Sequence, residues 1–223
     1  MNSQKDYREL YISKEDFDNL RSDRQFAKLL NLARAANALY FCYRALLDFS
    51  DDSTSAGQRQ HINAFLFSAG VLHEGLIVAD TLEKYFGERD SYRNGFGKLL
   101  NDESTKQLRN TILKRMRNKF VFHYDEDVPR KSLKTLNLPS YLFATGLGEK
   151  RRGLYYNLAD EVVINFLLGD PASKEEERIF REALENITKV LVGFTDSADM
   201  LIADVLSEMN WKVREGKEDT ETE

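Results

Sequence analysis

Apolar residues recur every three or four positions over two long stretches in the first half of the chain. This spacing places them on one face of an α-helix. The first stretch ends before the polar run 50–57, which predicts a loop; its apolar positions are Leu29, Leu32, Ala33, Ala36, Leu39, Tyr40, Tyr43, Leu46 and Leu47. The second runs from about Gln58 to Phe86 and is apolar nearly all round, which is typical of a central, buried helix.

Two further helices are predicted in the second half of the chain. The sequence "STKQ" at Ser104 to Gln107 matches a capping box, in which serine and glutamine side chains satisfy exposed backbone amides. It predicts the start of a third helix, with an apolar face formed by Leu108, Ile112, Met116 and Phe120. A last long helix is predicted behind "SKEE" at 173–176, because helical spacing then continues to Met209.

The helical periodicity fails from Val128 to about Asn157. There "SYLFATG" and "GLYYNLAD" flank "LGEKRR", which predicts a small β-hairpin with a basic tip. The predicted fold class is therefore all-α: an antiparallel bundle of four to five main helices with a small β-hairpin insertion. We expect one helical domain over 1–212 and an acidic, disordered tail over 213–223, since "REGKEDTETE" lacks aromatic residues.

Composition favours a cytoplasmic protein that is not embedded in a membrane. The single cysteine, Cys42, excludes an intrachain disulfide framework. No apolar segment typical of a signal peptide is visible near the start. The most apolar stretch is interrupted by His73, Glu74 and Asp80, each of which would be costly in lipid. We interpret that stretch as a buried helix of a soluble protein.

Charge is distributed unevenly along the chain. Between Lys106 and Arg152, twelve Lys or Arg residues stand against four Asp or Glu, a local balance of +8, and this leaves −13 for the rest of a chain whose net charge is −5. Such a basic middle is typical of a surface that faces phosphates. It could equally pair with acidic helices of the same fold.

The third helix carries three basic residues on or beside its apolar face. On a helical wheel at about 100° per residue, Arg109 and His123 fall inside the apolar arc and Arg117 lies at its edge. If that arc faces the core, Arg109 needs a carboxylate partner. The candidates are Glu74 and Asp80 of the second helix.

Arginine and histidine together suit chemistry on a phosphodiester. A histidine whose pKa lies near neutrality can take a proton from a ribose 2′-hydroxyl or give one to a leaving oxygen. A guanidinium can hold phosphate oxygens and stabilise the charge that develops on them. This reaction requires no metal or other cofactor.

At these residues the chain resembles the HEPN superfamily of small helical proteins. That superfamily is marked by an arginine, usually followed by a polar residue, and a histidine four to six positions further on, late in the third main helix. Here the match is Arg117, Asn118, "KFVF" and His123. The resemblance covers about residues 24–125. It implies a phosphate contact for Arg117, acid–base work for His123 and an orienting role for Asn118.

Many HEPN members look like metal-independent endoribonucleases of toxin–antitoxin or phage-defence systems, and they act as dimers. The resemblance therefore implies RNA as a partner, a homodimer and an antitoxin that neutralises the protein. The basic residues near the motif, Arg109, Lys114, Arg115 and Lys119, are the candidates for binding the RNA backbone.

Two other interpretations stay open. In the first, the protein is a non-enzymatic interaction or regulatory module, and the apolar stripe that holds Arg109 and His123 is a subunit interface of a homodimer. Exposure decides between this and catalysis, because catalysis needs Arg117 and His123 open to a cleft. In the second, a helical metal enzyme, His61 and His73 would have to converge with carboxylates. The isolated His73 is more typical of a hydrogen-bonded core histidine.

Overall fold

The structure is a computed structural model, and it describes these residues: 5–48, 54–118, 127–134, 145–146, 154–155, 158–159, 162–163, 165, 174–209 and 212–218. Within them the fold is mostly helical. The continuous helices and the strands are β1 (Lys5–Tyr11), α1 (Lys14–Leu20), α2 (Arg24–Asp48), α3 (Ser55–Phe86), α6 (Asp127–Ser132), β2 (Thr145–Gly146), β3 (Leu154–Tyr155), α7 (Lys174–Ser207) and β4 (Lys212–Glu218).

Between α3 and α6 lie two composite helices, each of which contains one π-helical turn. The pieces of α4 are Asp90–Tyr92, the π turn Arg93–Gly97 and Lys98–Asn101. The pieces of α5 are Glu103–Leu108, the π turn Arg109–Leu113 and Lys114–Met116, and the helix continues through Arg117 and Asn118, where the described stretch ends.

The predicted all-α helical bundle is confirmed at the level of fold class. The long helices α2, α3 and α7 pack against one another, and α4 and α5 pack on them. One apolar core joins these elements, and its largest fully buried side chains include Phe65, Phe86, Phe96, Phe194, Leu39 and Leu76. The predicted start and end of α3 are nearly correct. Thr54 caps its N-terminus by accepting a hydrogen bond from the Gly57 N–H at 3.0 Å.

Small residues bring the neighbouring helices close to α3. Ser68 and Ala69 are fully buried. A Cβ atom at Gly75 would lie 3.2 Å from the Phe194 ring of α7 and 3.4 Å from Leu39 Cδ1 of α2. Gly75 therefore lies where three long helices approach one another closely, and the Phe194 ring takes up the space beside it.

By length and composition α3 could also cross a membrane, because its segment Gln60–Phe86 is long and apolar enough. Of the most apolar window of that segment, 44% is buried inside the protein. Core helices of soluble proteins meet the same criteria, so the cytoplasmic location stays a prediction.

Helix α4 corrects one prediction. The glycines of "GERDSYRNGFG" indicated a turn after α3, but the chain continues as a helix from Asp90 to Asn101. Its Phe96 ring packs edge-on against Phe194, with 5.1 Å between ring centroids. Gly95 does not break the helix. It allows α4 to approach α7 closely, because a Cβ at that position would lie 3.0 Å from Ser197 Cβ.

An arginine holds the entry to α4 against the end of α7. Arg89 donates two hydrogen bonds to Glu208, at 2.8 and 2.6 Å, and one to Asp204 at 3.2 Å. The Ser91 hydroxyl donates to the same Asp204 carboxylate at 2.6 Å. The hydrogen bond from Ser91, followed by the one from Arg89, holds the pKa of Asp204 below its ordinary value. This network fixes the turn between α3 and α4 to the C-terminal end of α7.

The start of α5 also differs from its predicted position. Asp102, and not Ser104, is the N-cap residue, and its carboxylate accepts a hydrogen bond from the Thr105 N–H at 2.9 Å. The Ser104 hydroxyl donates to that same carboxylate. A carboxylate at the N-cap also interacts favourably with the helix dipole, which explains why it is the residue that caps the helix.

The two ends of the described chain form an antiparallel pair of strands that the sequence did not predict. All seven residues of β1 pair with β4, from Lys5 opposite Glu218 to Tyr11 opposite Lys212. The sequence assigned residues 213–223 to a disordered tail, and for 213–218 this is wrong. The register places Arg8 opposite Glu215 and Glu9 opposite Arg214.

A second, shorter pair of strands lies where the sequence predicted the hairpin. Thr145 pairs with Tyr155 and Gly146 with Leu154, in antiparallel register. The residues between them, including the predicted basic tip, lie outside the described residues. The hairpin as a whole therefore stays a prediction.

Replacing Gly95 with alanine should destabilise the protein by about 1–2 kcal/mol, because the new Cβ would overlap Ser197 and overpack the α4–α7 contact. Gly97→Ala is the matched control. Its Cβ would meet its nearest neighbour, the Tyr92 carbonyl oxygen, at 3.4 Å, so the gain in helix propensity should raise stability by up to about 1 kcal/mol. Urea unfolding measures both, and equal shifts of the same sign would contradict this account of Gly95.

Candidate functional site

Helix α5 presents its apolar face to the core of its own chain. Leu108, Leu113 and Met116 are buried, with Leu113 fully so, whereas Ile112 is only half-buried. The helical wheel predicted Ile112 in this role. The π turn Arg109–Leu113 adds one residue to that turn of the helix, so the buried stripe passes from Leu108 to Leu113.

Arg109 lies beside this stripe and is paired with a carboxylate of α3. Its Nη2 atom donates a hydrogen bond to Asp80 Oδ2 at 3.1 Å. The Arg109 side chain is 25% exposed and that of Asp80 is 54% exposed. The prediction that Arg109 has a carboxylate partner is thereby confirmed, and that partner is Asp80 rather than Glu74. As a contact for RNA, Arg109 is already neutralised within the fold.

Arg117 is also paired with α3, which the sequence did not predict. Its Nε atom donates a hydrogen bond to Glu74 Oε1 at 2.7 Å, and its Nη1 atom donates to the Asn118 side-chain oxygen at 3.0 Å. The Arg117 side chain is 35% exposed and that of Glu74 is 43% exposed. The guanidinium is thus reachable from solvent and is fixed in direction by two neighbours. Asn118 is one of the two groups that hold it, and its orienting role at a phosphate site stays a prediction.

The two ion pairs form one seam between α3 and α5. Asp80 and Glu74 are six positions apart on α3, about 9 Å along an ideal helix, and their partners Arg109 and Arg117 follow in the opposite order on α5. We call these four residues the charged seam. Its two cations and two anions cancel, so the charged seam itself is neutral.

His73 lies next to the charged seam, and its position was not predicted. Its Nδ1 atom is 3.7 Å from Glu74 Oε1, beyond hydrogen-bonding distance, and the side chain is 12% exposed. Among the described residues that buried nitrogen has no hydrogen-bond partner, which contradicts a fully hydrogen-bonded core histidine. Burial lowers the pKa of His73, Glu74 opposes the shift, and the positive charges of Arg109 and Arg117 add to it.

The remaining predicted site residues fall into two groups. Lys114 and Arg115 are exposed on α5. Lys114 and Arg117 are three positions apart and therefore lie on the same side of the helix. Lys119 and His123 lie outside the described residues. The predicted meeting of Arg117 and His123 therefore stays a prediction.

A metal centre gains no support from the part of the chain that is described. Within the described ranges, no group of three or more His, Cys, Asp or Glu side chains is close enough together to hold an ion. The histidines of the metal-enzyme interpretation, His61 and His73, share α3 but stand twelve positions apart.

Comparison with known proteins does not place the chain in a family: no family model matches it, nor does any curated protein or solved structure.

The sequence did not predict that Glu74 pairs with Arg117, nor that His73 lies beside this pair. A usable indication was nevertheless present, because two carboxylates six positions apart on an apolar helix require cations on the helix that covers them. The sequence connected Glu74 only with Arg109. The choice of partner depends on how far α5 has slid along α3, and no local pattern encodes that distance.

A double-mutant cycle on Arg117 and Glu74, each changed to alanine, should give a coupling free energy of about 0.5–1 kcal/mol, since both side chains are partly exposed and screened. The Arg109–Asp80 pair should give a coupling of similar size. Urea unfolding of the single and double variants measures these values.

The surface pair Lys106–Glu103, three residues apart on α5, is the control and should couple by less than about 0.5 kcal/mol. A coupling for Arg117–Glu74 no larger than that of the control would mean that the charged seam does not hold α5 to α3.

Proposed function

We propose that the protein is an RNA-binding, HEPN-like protein in which Arg117 binds a phosphate of the RNA backbone. The support is the Arg-x5-His motif in a segment with a local charge of +8, together with the confirmed helical fold class. In the enzymatic form of this proposal the protein is a metal-independent endoribonuclease of a toxin–antitoxin or phage-defence system.

The observation that carries the proposal is the setting of the Arg117 guanidinium. It is partly exposed, it lies at the end of the described part of α5, and Asn118 holds its Nη1 atom. Glu74 competes with phosphate for this guanidinium. An ion pair with this exposure contributes about 1 kcal/mol or less to stability. Glu74 accepts from Nε of Arg117 in this structure, whereas a phosphate can take two parallel hydrogen bonds from the guanidinium. Phosphate can therefore displace Glu74.

The proposed catalytic roles follow the chemistry of the two groups. His123 takes the proton of a ribose 2′-hydroxyl, and the 2′-oxygen attacks the adjacent phosphorus to form a 2′,3′-cyclic phosphate. The bond to the 5′-oxygen breaks, and the imidazolium gives its proton to that leaving oxygen. Arg117 stabilises the negative charge that builds on the phosphate oxygens. Lys114 and Arg115, exposed on the same helix, attract the RNA backbone electrostatically.

Arg117→Ala should weaken binding of a labelled single-stranded RNA by about tenfold, the loss expected for one charge-assisted contact, in a fluorescence anisotropy titration at low salt. Arg34→Ala is the matched control: Arg34 is exposed on α2 and forms no ion pair with the described residues. Equal losses for the two variants would show general electrostatic attraction and no phosphate site at Arg117.

For cleavage, His123→Ala should abolish the release of fragments while RNA binding persists. If wild type and His123→Ala cleave equally in the presence of a metal chelator, catalysis by this histidine is excluded and the RNA-binding form of the proposal remains.

A second candidate function, a homodimeric interaction module, is favoured by the outer face of α2. Leu30 and Phe41 are 53% and 66% exposed there, and large exposed apolar side chains on one helix face are typical of contact surfaces. The interface first considered, the apolar stripe of α5, is excluded for its buried members, because Leu108 and Met116 face their own core.

Phe41→Glu should convert a dimer formed through this face of α2 into a monomer, since a charge would be buried without a partner. Size-exclusion chromatography with light scattering gives the mass directly. The exposed Thr81→Glu on α3 is the control and should leave the mass unchanged. A wild-type monomer at high concentration would rule out the homodimer.

A further inference from the structure

We propose that His73 is a positioning residue that decides whether the guanidinium of Arg117 is held by Glu74 or is free to bind phosphate. The inference rests on the proposed function, in which Arg117 contacts an RNA phosphate. It assigns a role to a histidine outside the Arg-x5-His motif and makes the affinity for RNA respond to acidification.

One carboxylate oxygen has two possible donors at this place. Arg117 Nε lies 2.7 Å from Glu74 Oε1, and His73 Nδ1 lies 3.7 Å from the same oxygen. Arg117 makes the hydrogen bond. His73 stands just beyond reach and has no other partner for Nδ1 among the described residues. A movement of about 0.8 Å would give it a charge-assisted hydrogen bond of normal length.

Protonation of His73 would change this arrangement in two ways. Both ring nitrogens become donors, so Nδ1 can donate to Glu74 and share the oxygen that now binds Arg117 alone. The charged seam itself is neutral, with Arg109, Arg117, Glu74 and Asp80. Together with a protonated His73 it carries a net charge of +1. A freed guanidinium and an added positive charge both favour a phosphate anion.

The charged groups around His73 set the pH at which this happens. Burial lowers the pKa of its imidazole from the ordinary 6.5, Glu74 on the same helix raises it, and Arg109 and Arg117 on α5 lower it. The imidazole is therefore neutral at neutral pH, and Arg117 stays with Glu74. As the pH falls through this lowered pKa, the affinity for phosphate rises; bound phosphate in turn raises the pKa of His73.

An unpaired nitrogen alone does not set His73 apart, because His61 Nδ1 is also buried without a partner among the described residues. His73 differs in that its Nδ1 lies 3.7 Å from Glu74 Oε1, the oxygen that binds Arg117. A buried ring nitrogen without a partner destabilises the fold, and an aliphatic side chain would fill the same space without that cost. A leucine at position 73 therefore preserves packing and removes the proton-binding group. A glutamine at position 74 removes the competing negative charge while it keeps nearly the same shape.

The test measures the dissociation constant of a labelled single-stranded RNA oligonucleotide at about pH 7.5 and about pH 5.5, at one ionic strength. Wild type should bind about fivefold more tightly at the lower pH, the factor for one partly exposed ion pair. His73→Leu should keep the affinity measured at the higher pH and lose most of the gain. Glu74→Gln should bind tightly at both. His61→Gln, on the same helix, is the control and should keep the wild-type gain.

Two results separate this inference from the proposed function. If Arg117→Ala binds RNA as tightly as wild type at both pH values, the proposed function fails. If Arg117→Ala loses binding while His73→Leu keeps the full gain, or while Glu74→Gln binds no more tightly than wild type at the higher pH, the role of His73 is overturned and the phosphate contact stands. Glu74 is partly exposed, so its variant decides the question even where His73→Leu does not fold.

Discussion

The structure depends on the burial of α3, an apolar helix that carries two carboxylates. Much of its surface faces the core: α2 and α7 close on Gly75, and Ala69 and Leu76 are fully buried. Glu74 and Asp80 must therefore emerge on the remaining side, and that is where α5 packs. Because a carboxylate at the edge of an apolar contact is costly without a cation, α5 brings Arg109 and Arg117. The same requirement of the fold creates the charged seam and the candidate site.

A site of this kind has two conflicting tasks. For the fold, each arginine is best neutralised by its carboxylate. For a phosphate contact, one arginine must be able to leave that carboxylate. Partial exposure reconciles the two, because an ion pair screened by water contributes little to stability and is readily exchanged. Arg117, nearer the end of the described helix and more exposed than Arg109, is the arginine suited to exchange.

Apolar periodicity predicted the long helices, because each buries a stripe of regular spacing. It failed where the geometry departs from the regular α-helix. A π turn moved the buried position from Ile112 to Leu113, and a wheel with constant rotation cannot show this. The glycine-containing run around Gly95 predicts a turn, whereas in the structure Gly95 allows α4 to approach Ser197 of α7 closely. The pairing of Arg117 with Glu74 depends on how two helices are placed against each other, and that information is not local.

The pairing of β1 with β4 has a consequence for anything joined to this fold. Lys5 and Glu218 stand opposite each other in register, so the backbone enters and leaves the domain about 5 Å apart, the spacing of neighbouring strands. The domain can be inserted into a loop of another protein as a single unit, with its two connections as close as those of a hairpin.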